Sequence, residues 1–113
     1  MEIKREDHNT YTTLAPQGDL DANSSIFLDE AINELIQGER VRIHVDCQAI
    51  PYISSAGLGV FISHLDEINS KQGELVVSGP NQSVSDVFQL LGLDQLLTIL
   101  KDRKEVDEHF GEA

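Results

Sequence analysis

The order of strand-like and helix-like segments limits the folds open to this chain more than any other feature. Residues 41–47 alternate apolar and polar side chains, as a strand with one buried face does. Before them, apolar side chains recur at helical spacing from Leu28 to Ile36, and Gly38 is suited to end that helix. Further strands are predicted at 3–5, 10–17, 74–78 and 96–100, and further helices from about Ser55, from about Ser83 and over 103–110.

This alternation predicts an α/β domain with a mostly parallel central sheet of about four to five strands and about four helices. The length of 113 residues predicts one domain over 1–113. Loops that follow neighbouring parallel strands gather at the same edge of a sheet. We therefore expect residues 18–23 and 52–57 to lie close together.

The starts and buried faces of the helices can be predicted as well. Asp21 and Asn23 are suitable N-caps for the first helix. Ser83, followed by Asp86, resembles a capping box at the start of the third. The apolar faces of the later helices are expected to contain Leu58, Phe61, Ile62, Leu65 and Ile68, then Val84, Val87, Phe88 and Leu91, and finally Val106 and Phe110.

Acidic residues outnumber basic residues by 20 to 8, which gives a formal net charge of -12. Such a surface repels phosphate backbones and anionic membranes, so no direct nucleic-acid partner is expected. The charge either attracts a basic protein partner or simply keeps the chain soluble. Cys47, the single cysteine, lies in an apolar stretch and is expected to be buried in a protein of a reducing compartment. The sequence shows no signal core and no apolar run of membrane-spanning length, so we expect a cytoplasmic protein without membrane insertion.

Two consecutive serines, Ser54 and Ser55, precede the second helix. The ordinary role of a serine at this position is to cap the helix, and with two of them one can cap while the other stays exposed. A phosphate there would be tolerated, because a helix N-terminus favours negative charge. Gly57 and Gly59 leave the first turn bare, either for close packing against the sheet or for close approach by a partner.

The stretch from Tyr52 to Phe61 resembles the signature of STAS-domain anti-sigma factor antagonists, in which Asp-Ser-Ser/Thr-Gly-Leu-Gly opens the second helix. The first serine of that signature is phosphorylated in the family, and alignment on the Gly-Leu-Gly places it at Ser55, with Ser54 as second choice. Ser54 stands where the family has an acidic residue, and Ala56 where it has Ser or Thr. Weaker similarity to the family extends over residues 18–21, 73–77 and 87–93.

The resemblance implies a bacterial partner switch rather than an enzyme. The unphosphorylated protein would bind an anti-sigma factor that is also a serine kinase, and so release a sigma factor. The kinase would then phosphorylate Ser55 from ATP, and a PP2C-type phosphatase would reset the cycle. The alternative is a non-switching STAS scaffold subunit of a sensory or lipid-transport complex. The partner contacts are expected at Asp21, Ser54, Ser55, Ala56, Gly57 and Leu58.

Catalytic and cofactor motifs are incomplete in this sequence. A nucleophile elbow around Ser55 needs a glycine where Ile53 stands, and a dinucleotide fingerprint needs one where Ile62 stands. There is no P-loop and no Cys/His cluster with metal-ligand spacing. No catalytic residue, cofactor or metal is therefore predicted. The four histidines are expected to be surface or strand residues; they are His8, His44, His64 and His109.

Overall fold

A computed structural model describes residues 1–112. The elements follow one another as β1 (Glu2–Asp7), β2 (Thr12–Gln17), α1 (Ser25–Gln37), β3 (Arg42–Asp46), α2 (Ser55–Ser70), β4 (Glu74–Ser78), α3 (Gln82–Leu90), a 3₁₀ turn (Leu93–Gln95), β5 (Thr98–Leu100) and α4 (Arg103–Phe110). Every predicted strand and helix is present, with bounds that shift by a few residues.

Five strands form one sheet in the order β1-β2-β3-β4-β5. β1 runs antiparallel to β2, whereas the other neighbouring pairs are parallel. Each parallel pair is joined by a helix, and right-handed crossovers between successive neighbours put α1, α2 and α3 on the same face of the sheet. The predicted α/β fold with a mostly parallel sheet is confirmed.

The side chains of the central strands alternate between two apolar clusters. Ile43 and Val45 of β3 face the main cluster, which α1, α2 and α3 complete. Val76 of β4 belongs instead to a second cluster under α4. Within residues 1–112, no helix combines the length and the apolar character that crossing a membrane requires.

The second face of the sheet is covered by α4. Its Val106 and Phe110 pack against Tyr11 and Val76, and the Phe110 ring stacks on the Tyr11 ring with centroids 4.8 Å apart. Asp102 caps the helix by accepting the Glu105 N–H. Val106 and Phe110 thus form the buried face that was predicted for this helix.

Two residues predicted to be buried are exposed: Ile62 at 47% and Leu91 at 56%. Leu91 follows the last residue of α3, so it no longer shares the apolar face of that helix. In α2, Val60 and His64 form a second buried stripe beside the predicted one, and Ile62 points away from both stripes. A helix with two packed sides has a broader buried face than a single apolar stripe predicts.

The predicted N-caps of α1 and α3 are wrong. Neither Asp21 nor Asn23 caps α1: the cap position is Ser24, and the Asp21 carboxylate instead accepts the N–H groups of the turn before the helix. The N-cap of α3 is Asn81 rather than Ser83, which lies inside the helix. Asp, Asn and Ser cap helices comparably well, so the residue types near each helix start did not show which of them is the N-cap.

Candidate functional site

The loops after β2 and β3 meet at the carboxyl edge of the sheet. Leu20 and Ile53 form an isolated parallel bridge. The Leu20 N–H donates to the Tyr52 carbonyl at 2.9 Å, and the Ser54 N–H donates to the Leu20 carbonyl at 2.9 Å. The predicted closeness of these two loops is confirmed, and the start of α2 is fixed against the segment that leads into α1.

The two serines at the start of α2 have different environments. The Ser54 hydroxyl accepts the Gly57 N–H at 3.3 Å, so Ser54 is the N-cap. Ser55 is the first residue of the helix and is exposed. In the part of the chain that the structure describes, no hydrogen bond holds its hydroxyl. The structure thus places one serine in a capping role and leaves the other accessible.

The two glycines of the first turn also differ. A Cβ on Gly57 would lie 2.7 Å from the Leu20 carbonyl oxygen and 2.9 Å from the Ile53 side chain. A Cβ on Gly59 would meet nothing within 4 Å. Gly57 therefore allows close packing of α2 on the neighbouring loop, whereas Gly59 leaves a bare patch of exposed helix surface.

Asp21 organises the loop beside Ser55. Its carboxylate accepts the N–H groups of Asn23 at 2.9 Å and Ser24 at 3.0 Å. Hydrogen bonds from the backbone of Ser24 and Asn23 hold the pKa of the Asp21 carboxyl below its usual value, so it is ionised at neutral pH. Neither loop 18–24 nor residues 47–58 contain Lys or Arg, so Asp19 and Asp21 give this edge an acidic character.

The predicted partner-contact residues divide by exposure. Ser55 and Ala56 are exposed, and Asp21 and Ser54 are half-buried. Gly57 and Leu58 are buried. The Leu58 side chain is 3% exposed, belongs to the main cluster and supports the site from beneath. The contacts themselves remain a prediction.

Sequence patterns missed three exposed apolar side chains near the starts of α1 and α2: Ile26 (54%), Phe27 (46%) and Tyr52 (55%). Tyr52 and Ile53 line one side of an apolar groove of about 180 Å³, and Ser83, Val84 and Val87 of α3 line the other. For Tyr52 the sequence did contain a signal, because this aromatic residue stands directly after Pro51 in a predicted loop.

Asn81 is a further residue that the sequence analysis missed. Its side-chain oxygen accepts the Val84 N–H at 2.8 Å and so caps α3. Its side-chain amide donates to the Pro51 carbonyl at 3.1 Å and lies 3.5 Å from the Ile50 carbonyl. Asn81 thus joins α3 to the loop that leads to Ser55.

Cys47 is completely buried, as predicted, and burial raises the pKa of its thiol. The prediction for the histidines is wrong at two positions. His64 is buried on α2, where its Nε2 lies 2.8 Å from an Asp29 carboxylate oxygen on α1. His8 lies in the turn after β1 with its side chain 8% exposed. Both rings are enclosed because a second element packs over them.

Residues 1–112 contain no cluster of three or more His, Cys, Asp or Glu side chains placed to hold a metal ion. What the site offers is an exposed hydroxyl at a helix N-terminus, an acidic neighbouring loop and exposed apolar side chains.

Comparison with known proteins agrees with the observed α/β fold. The family model for the STAS domain matches residues 2–108. The chain belongs to the STAS domain family.

One curated relative is the anti-sigma-B factor antagonist of Listeria monocytogenes. It is 27% identical over 99 residues, which cover 88% of this chain and 86% of the relative. Among solved structures, a Thermotoga maritima protein superimposes with a TM-score of 0.91 at 22% identity, covering 97% of this chain and 95% of that one. The Bacillus cell fate determinant SpoIIAA, solved in its phosphorylated form, gives a TM-score of 0.74 at 18% identity, covering 95% and 98%.

Proposed function

We propose that this chain is an anti-sigma factor antagonist whose binding is switched by phosphorylation of Ser55. The observation that carries the proposal is the division between the two serines: Ser54 caps α2, and Ser55 presents a free, exposed hydroxyl beside it. A kinase can modify Ser55 without removing the cap. The curated Listeria relative, which is named an anti-sigma-B factor antagonist, supports the choice of function.

A phosphate on Ser55 would be compatible with the helix. The first turn of α2 contains no acidic residue, and the helix N-terminus favours an anion. The modification adds a charge of about -1.5 to -2. Because residues 18–24 and 47–58 contain no Lys or Arg, this charge would remain unpaired within these loops and would act on whatever docks there.

The proposed partner is an anti-sigma factor with serine kinase activity. The unphosphorylated chain binds it and releases a sigma factor; phosphoryl transfer from ATP to the Ser55 hydroxyl then weakens the complex. A PP2C-type phosphatase hydrolyses the phosphoserine and restores binding. The role of the domain in this cycle is recognition, so the reacting groups apart from the Ser55 hydroxyl belong to its partners.

We expect Ser55→Glu to weaken capture of the kinase partner from a lysate of the native cells by at least about tenfold, since an unpaired charge buried at an interface costs several kcal/mol. Ser55→Ala should retain the partner. Ser63→Glu, on the exposed middle of the same helix, is the matched control and should retain it too. Quantitative mass spectrometry of the captured proteins measures the effect.

Two outcomes would contradict this function. Equal capture by wild type and Ser55→Glu would show that charge at Ser55 does not control binding. Capture of a transporter or a multi-domain STAS protein, with no kinase, would indicate the non-switching scaffold subunit instead.

A further inference from the structure

The loop that carries Ser55 is held from both sides. On the side of β2, the Gly18 N–H donates to the Ala49 carbonyl at 2.9 Å, and backbone hydrogen bonds join Leu20 to Tyr52 and Ser54. On the side of α3, Ile53 and Val84 share the main apolar cluster, and the Asn81 side-chain amide donates a hydrogen bond to the Pro51 carbonyl. We propose that Asn81 is a positioning residue that fixes the Ser55 loop to α3; its importance for switching rests on the function proposed above.

The chemistry of an asparagine side chain suits this double role. Its carbonyl oxygen accepts the Val84 N–H, which would otherwise be an unpaired donor in the first turn of α3. Its NH₂ group supplies the donors for the Pro51 and Ile50 carbonyls. Asp or Ser can replace the cap, but Asp at neutral pH has no proton to donate. Capping alone therefore does not explain why Asn rather than Asp or Ser stands at position 81, whereas the hydrogen bond to the loop does.

The consequence is that α3 and the Ser55 loop form one unit. The apolar groove between Tyr52 and Val87 has one wall on the loop and the other on α3, so its shape depends on the contact between them. Asn81 lies at the N-terminus of the α3 wall. A protein that binds α3 would therefore contact a Ser55 loop whose position relative to α3 is fixed.

Asn81→Asp separates the two roles, because it keeps the cap acceptor and loses the donor to the loop. Asn81→Ala loses both. Asp102→Ala is the matched control, since it removes the side-chain cap of α4 on the opposite face of the sheet. Amide hydrogen exchange of the isolated chain, followed by NMR, reports on each element without any partner.

We expect Asn81→Asp to leave protection within α3 unchanged and to speed exchange of the Leu20 and Ser54 amides about three- to tenfold, the effect of losing one hydrogen bond. Asn81→Ala should show the same loop effect together with faster exchange in α3. Asp102→Ala should leave both amides unchanged. Leu20 and Ser54 amides that exchange at the wild-type rate in Asn81→Asp would overturn the proposal.

The link to switching is measured separately, as phosphate occupancy of Ser55 in the native cells. We expect lower occupancy in Asn81→Asp than in wild type, and no change in Asp102→Ala. Faster loop exchange with unchanged occupancy would overturn the link to phosphorylation. A wild-type chain that never carries phosphate would refute the proposed function, while the exchange result would still decide whether Asn81 fixes the loop.

Discussion

Lowering the pH from 7 to 4 is expected to cost the folded state about 3 kcal/mol through one buried histidine, His44. His44 is 1% exposed on β3, beneath α4. Its Nδ1 lies 2.9 Å from the Thr13 hydroxyl and its Nε2 lies 2.6 Å from the Ser78 hydroxyl. Two neutral hydroxyl groups give the ring partners but no neutralising charge.

Burial lowers the pKa of His44 from 6.5 to about 4, because the charged ring would lose its hydration. Between these two values the unfolded chain binds the proton and the folded chain does not. Stability is therefore lost as the pH falls from about 6.5 to about 4, and is restored as it rises. The carboxylates of Asp46 and Asp107 oppose this lowering of the pKa, whereas Arg103 and His8 add to it.

Urea unfolding at several pH values checks this prediction. His44→Gln keeps polar groups near Thr13 and Ser78 but cannot titrate, so its stability should fall less between pH 6.5 and 4 than that of wild type. Ser78→Ala keeps His44 and should follow the wild-type pH dependence, with about 1 kcal/mol less stability throughout. If the free energy of unfolding falls equally with pH in wild type and His44→Gln, the loss of stability is not due to His44.

Gly57→Ala is expected to destabilise the domain by about 1–3 kcal/mol, the usual cost of overpacking. The added methyl group would sit 2.7 Å from the Leu20 carbonyl oxygen, which also accepts the Ser54 N–H. Relief would require α2 to move away from the loop before α1. The same substitution should therefore both lower the unfolding midpoint and disturb the position of Ser55.

Gly59→Ala is the matched control, two residues further along the same helix. Nothing lies within 4 Å of its added methyl group, so alanine should stabilise the helix by about 0.5–1 kcal/mol. Thermal unfolding of both variants measures the difference. If Gly57→Ala unfolds at the same temperature as Gly59→Ala, or at a higher one, the contact between Gly57 and Leu20 is not tight.

The fold could be predicted because its main signals are local. The alternation over 41–47 sets the strand β3, and apolar spacing sets α1 and α2. The closeness of the two site loops then follows from parallel strand order alone. The different environments of Ser54 and Ser55 could be anticipated as well, because a helix N-terminus favours a single capping side chain and the second serine is then left uncommitted.

The rest depends on contacts between residues distant in sequence. His64 is buried because Asp29, on a different helix, offers it a partner. Asn81 rather than Ser83 caps α3, and its second contact is with Pro51, 30 residues earlier. The apolar pattern of a single helix contains neither fact, because each depends on how one element packs against another. For the same reason, the sequence did not show that Ile62 would be exposed rather than buried.

The most direct test of the switch is the mass of the protein isolated from its own cells, with peptide mapping of wild type and Ser55→Ala. We expect a form that carries one phosphate, mapped to Ser55 and absent from Ser55→Ala. A phosphate on Ser54 would contradict the division of roles between the two serines. Absence of phosphate under every growth condition would contradict the switch itself.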